Sequence, residues 1–132
     1  MEANFGIDQI RLFLHLLGAT VWLGGQIVML GILPVLRGIG GDAPQQVAAR
    51  FGTLSWPFFG LAVVTGIWNM LEVDGQGNYA AVLGIKMLIV LVSGVAAWVH
   101  QRTDNPGLRG ATGGIGFLAA IVAMFLGLAL SH

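Results

Sequence analysis

The chain has no cysteine, so disulfides, iron–sulfur clusters and thiolate metal sites are excluded. It has one lysine, one tyrosine, and charged residues at only 9% of its 132 positions. A soluble domain carries roughly 25% charge, so this composition cannot supply an ordinary water-facing surface. Its six basic and six acidic residues cancel, which removes the electrostatic footprint that nucleic acid or an acidic soluble partner would require. Basic residues are also missing ahead of the first apolar stretch, where Glu2 and Asp8 stand instead. That stretch is too long for a signal h-region, so it is expected to be a retained helix.

What remains is apolar. Hydrophobic residues make up 56% of the chain, and they gather into four segments at about 10–36, 53–71, 79–100 and 111–130, each near bilayer-spanning length. The breaks between them are rich in glycine and proline, as in Gly38-Ile39-Gly40-Gly41-Asp42-Ala43-Pro44 and Asn105-Pro106-Gly107. Residues 45–52 are expected to form a short interfacial helix, which leaves Pro57 in the first turn of the second span. The fold class is therefore all-α, an integral-membrane four-helix bundle forming a single domain in the lipid bilayer. Its 21 glycines suit close helix packing.

Arginine placement sets an expected orientation. Arg37, Arg50, Arg102 and Arg109 follow the first and third spans, whereas Glu2, Asp8, Glu72 and Asp74 lie on the other side with Arg11. A Lys/Arg excess marks the cytoplasmic side, so both termini are expected outside it, in a membrane such as the bacterial inner membrane. Trp56, Trp68, Trp98 and Tyr79 lie near segment ends and are expected to act as interfacial anchors.

The polar residues inside the spans are the informative ones. Positions i, i+7, i+11 and i+14 share a helical face, and on the first span that face reads His15, Trp22, Gln26, Met29. A polar stripe in lipid must face other helices or a cavity. By helix rise, His15 and Lys86 lie roughly 8 and 10 Å in from the same side, with Thr65 and Asn69 at a comparable level. No acidic residue occurs inside any span, so a buried Lys86 needs an anion, a wet cavity or loss of its proton. Plainer readings stand beside these. Lys86 can snorkel to the headgroups, His15 and Gln26 can tie helices together, Trp22 can simply pack, and His100 can sit at the boundary.

At these residues the chain resembles a family. His15-x6-Trp22-x-x-Gly25 and Lys86, followed by an aliphatic run into His100-Gln101-Arg102, resemble two helices of the CopD/HemJ-like membrane proteins. The resemblance implies copper uptake or resistance on the CopD side. On the HemJ side it implies haem binding and oxidation of protoporphyrinogen IX, with the first-helix histidine and this lysine as key positions. Gln26 and Met29 stand where HemJ proteins place an arginine and a second histidine.

Haem b, or a related porphyrin, accepts a His axial ligand and carries propionates that a buried lysine would hold. Copper(I) accepts histidine and methionine but accounts for neither Lys86 nor the glycines. The expected site is thus a porphyrin with His15 as metal ligand. Lys86 serves it as propionate partner or, when unprotonated, as catalytic base, and Trp22, Thr65 and Asn69 line it. A copper-transport component and a structural subunit of a larger complex are the alternatives. Four short helices barely enclose a macrocycle, so a homodimer is expected.

Overall fold

A computed structural model describes residues 3, 5–72 and 77–130. Within them the fold is all-α, with four helices each long and apolar enough to cross a membrane. They are α1 (Ile7–Ile39), α2 (Ala43–Glu72), α3 (Tyr79–Arg102) and α4 (Pro106–Leu130). Glu2 and Asp74, used above for orientation, and residues 73–76 of the expected turn lie outside the described residues. The chain divides into two compact units at residues 69 and 70, each holding one antiparallel helix pair.

In the first unit, α1 runs for 33 residues, about 50 Å at helical rise against a hydrocarbon core of about 30 Å. The surplus places its ends in the headgroup region. Its start is marked by Gln9, whose side-chain oxygen accepts the Gly6 N–H at 3.0 Å. It stops where Gly40 and Gly41 adopt positive φ of 82° and 59°, a region open to glycine at little steric cost. The chain then needs three residues to reverse. Asp42 accepts a hydrogen bond from the Gln46 side chain at 2.7 Å, and Pro44 occupies the first turn of α2, where a missing N–H costs nothing.

The second span therefore differs from expectation. Residues 45–52 are continuous with it rather than a separate interfacial helix, and Pro57 is internal to α2. The proline removes the donor for the Thr53 carbonyl, a local loss that the thirty-residue helix carries without breaking. Trp56 is consequently no interfacial anchor. It lies mid-helix and packs with Trp22 and Phe59. Trp68 and Trp98 do sit near helix ends, beneath the guanidinium groups of Arg11 and Arg102 at 5.7 and 4.8 Å.

In the second unit, α4 begins at Pro106, not near 111. The reason is Asn105, whose side-chain oxygen accepts the N–H groups of Gly107 and Leu108 at 2.9 and 3.2 Å. This N-cap turns a proline–glycine sequence, read as a break, into a first turn. His100 on α3 donates its Nδ1–H to the Arg109 carbonyl at 2.6 Å. Its ring rests on Gly113, where a Cβ would lie 3.0 Å from ring atoms.

Apart from Trp22, Leu23 and Leu83, the buried residues of both units are small, and most of the large apolar residues are exposed. Gly18, Gly52, Ser55, Thr65 and Gly66 are buried in the first, and Ser93, Gly94, Ala96, Gly116, Ala119, Ala120 and Ala123 in the second. Leu12, Phe13, Val28, Leu88, Leu118 and Phe125 are exposed. Lipid is as apolar as leucine, so helix association depends on close approach and interhelical hydrogen bonds rather than on burying large side chains. Gly18 shows the limit of approach: a Cβ there would lie 2.6 Å from the Phe58 carbonyl oxygen and 2.8 Å from the Ala62 nitrogen. A Cβ on Gly60 of the same pair would meet nothing within 4 Å.

The contrast gives a stability prediction. Alanine is preferred over glycine inside a helix by about 1 kcal/mol, so Gly60→Ala should be neutral or stabilising. Gly18→Ala should instead lower stability by about 1–3 kcal/mol, the usual range for overpacking. Thermal unfolding of both variants in one detergent tests this, and equal melting temperatures would contradict the packing described.

Candidate functional site

His15 is half-buried on the face of α1 that meets α2. Its Nδ1 lies 2.9 Å from the Ala62 carbonyl oxygen and 3.0 Å from Thr65 Oγ1. A carbonyl cannot donate, so Nδ1 must carry the proton. The Thr65 hydroxyl proton is itself committed to the Leu61 carbonyl at 2.7 Å, which leaves its oxygen to accept from His15 as well. Two acceptors on α2 thus hold one N–H from α1. In the neutral ring this tautomer puts the lone pair on Nε2.

Energy alone does not explain the arrangement. Interhelical hydrogen bonds in membranes average about 0.6 kcal/mol, a small return for a polar ring in an apolar span. What the contact does supply is orientation. The ring plane and tautomer are set largely by a main-chain carbonyl, with Thr65, buried to 2% exposure, as the second acceptor.

The rest of the expected stripe is legible in the same unit. Trp22 is buried at 6% exposure, with its ring centroid 4.5 Å from that of Phe59 and 5.0 Å from that of Trp56. Trp22 is therefore part of an aromatic packing cluster lying seven residues from His15. Gln26 folds back on its own helix, donating to the Trp22 carbonyl at 3.1 Å, so it is not a tie between helices. Met29 is half-buried while Ile27, Val28 and Leu30 beside it are exposed. Asn69, half-buried, follows Thr65 by one turn on α2. The expected grouping of His15 with Thr65 is real as a direct contact, and Asn69 shares that helix face.

Lys86 lies on α3, in the other unit, and is half-buried. Its Nζ passes close to Gly127 of α4, where a Cβ would lie only 3.3 Å from it. Gly127 lies three residues before Leu130, the last described residue of α4. Lys86 thus rests in the notch that the missing Gly127 side chain leaves on α4.

One residue was underrated by sequence reasoning. Arg11 looked like a charge at the edge of the first span, yet its side chain is 12% exposed. It sits four residues before His15, hence on the same face one turn outward, with its guanidinium over the Trp68 ring. The i, i+4 spacing was visible in the sequence; the inward turn of the side chain was not. Among the described residues there is no group of three or more His, Cys, Asp or Glu side chains arranged to hold a metal ion.

The tautomer is directly measurable. In 15N NMR of the metal-free protein in detergent, neutral His15 should show a protonated Nδ1, and Thr65→Val should retain it because the Ala62 carbonyl remains. A protonated Nε2 in both would show that the ring is turned the other way. Compared with protein-family models, with curated proteins and with solved structures, the chain matches none.

Proposed function

We propose that this integral membrane protein binds haem b or a related porphyrin, with His15 Nε2 as axial ligand, and serves redox chemistry within the bilayer, as in protoporphyrinogen oxidation. The observation that supports it is the cross-helix donation from His15 Nδ1 to the Ala62 carbonyl. Metal-ligating histidines almost always donate their other ring N–H to a carbonyl or carboxylate, which fixes the tautomer and raises ligand basicity. When bound, a haem supplies one-electron chemistry; the chain's part is to present a basic nitrogen in a fixed direction. Ala62 and Thr65 hold the ring, and the Trp22–Trp56–Phe59 cluster makes a rigid apolar wall along the same helix pair.

The donor set favours a macrocycle over a bare ion. Haem brings four nitrogen ligands and asks the protein for one or two, whereas copper(I) needs several protein ligands together. Met29 is fourteen residues from His15 on α1, about 21 Å along the axis, so these two cannot share an ion. His100 has a similar Nδ1–H contact to a carbonyl, but it lies two residues from the end of α3, where it clamps the connection to α4. His15 is inside the apolar span. Lys86, the residue that sequence alone offers for a propionate, lies in the other helix pair and is tested separately; a two-fold homodimer with non-cytoplasmic termini completes the proposal.

Protein purified in mild detergent after expression with ample iron and porphyrin precursor should show a Soret band. His15→Ala should abolish or greatly weaken it while membrane insertion persists; Lys86→Met should weaken it less; His100→Ala should leave it nearly unchanged. Loss in His100→Ala with retention in His15→Ala would move the site to the α3 end. Stoichiometric copper with no porphyrin in any preparation would overturn the reading. Separately, reporter fusions that work only in the cytoplasm should be silent at both termini, and activity there would invert the orientation.

A further inference from the structure

We infer that Arg11 is the anion-binding residue of the His15 site and that its guanidinium holds a carboxylate of the porphyrin bound there, an assignment that rests on the haem reading. An arginine near a helix start in a membrane protein ordinarily extends its head into water or lipid headgroups. Arg11 does not. Its side chain is 12% exposed and turned toward α2, with the guanidinium carbon 5.7 Å from the Trp68 ring centroid. Trp68 follows Thr65 by three residues, so the same stretch of α2 that orients the His15 ring also seats the arginine.

The guanidinium is incompletely matched by what surrounds it. Its one ion pair is to Asp8 through Nη1 at 3.1 Å, and Asp8 is 69% exposed. A guanidinium carries five N–H donors in a planar fork. Among the described residues, Asp8 is the one acceptor that meets it. A contact through Nη1 alone with a solvated carboxylate three residues away leaves much of the fork unused. A carboxylate approaching from the His15 side would meet it bidentately, the geometry for which arginine is suited.

Spacing makes this approach natural. Residues four apart on a helix stand about 5–6 Å apart at Cβ on one face. His15 would hold the macrocycle, and Arg11, four residues before it on the same face of α1, would be within reach of a carboxylate at the macrocycle's edge. The sequence had pointed to Lys86 for this duty because it is the only lysine and lies inside a span. Arg11 has the better geometry, since it shares a helix face with the ligand histidine.

Titration of purified apoprotein with iron(III) protoporphyrin IX and with its dimethyl ester, which keeps the iron and lacks the charges, tests the assignment. The parent protein should bind the free acid at least about tenfold more tightly, as a charge-assisted pair implies. Arg11→Gln should bring the two forms within about twofold of each other while keeping the Soret shift that reports His15 ligation. Arg11→Lys, which keeps the charge without the fork, should lie between them, and Asp8→Asn should not reduce discrimination. An Arg11→Gln protein that still prefers the free acid, with its Soret shift intact, would overturn the inference and leave the haem reading standing. The inference is equally overturned if Arg11→Gln keeps its preference but loses anionic phospholipid in native mass spectrometry, because the anion is then a headgroup phosphate. If neither porphyrin binds the parent protein, the haem reading fails and the Arg11 assignment falls with it.

Discussion

Hydrocarbon offers no hydrogen bonds, and this constraint organises the whole chain. Every N–H, C=O and hydroxyl at membrane depth must find a partner in the protein. The helices satisfy the backbone; the polar side chains then use whatever carbonyls remain within reach. Thr65 and Thr112 donate to the carbonyls four residues back on their own helices, at 2.7 Å in each case, and Gln26 does the same. Ser93 donates across to the Gly116 carbonyl at 2.8 Å, and His15 across to Ala62. Ser55 Oγ is the exception, buried with no partner among the described residues. These cross-helix bonds are informative because each ties a specific register of an antiparallel pair.

Glycine supplies the room that these contacts need, and it does so in a patterned way in the second helix pair. Lys86 and His100 are fourteen residues apart on α3, and the glycines they rest against, Gly127 and Gly113, are fourteen apart on α4. Fourteen residues is close to four helical turns, so two basic side chains on one face of α3 meet two notches on one face of α4. This pairing gives a reason why α4 holds glycine at these two positions, where alanine would make a better helix. His100 locks the start of α4; Lys86 lies against its end.

The first pair uses the same devices to a different result. The backbone contact at Gly18 brings α1 and α2 together, and three residues earlier His15 reaches the α2 carbonyl. Because the acceptor is main chain, its position is tied to the helix itself and not to a mobile side chain. The proposed ligand nitrogen is thereby aimed by the fold. Beside it the Trp22–Trp56–Phe59 cluster fills the middle of the pair, and the Arg11–Trp68 contact lies toward one end.

The sequence alone determined the number and apolar character of the helices, because spans of about twenty apolar residues have no other stable conformation in lipid. It also placed His15 level with Thr65 and kept His15, Trp22 and Met29 on one face, since helical rise and periodicity follow from spacing. It misjudged the starts of α2 and α4, where glycine and proline read as breaks until Asp42 and Asn105 are seen to organise the first turns. It made Trp56 an anchor and Arg11 a boundary charge. Both errors have one cause: periodicity says which residues share a face, but not what that face meets. Only the tertiary structure decided that Ala62 is the acceptor for His15, that Trp56 closes on Trp22, and that Arg11 turns inward over Trp68, because those outcomes depend on the register of one helix against the next.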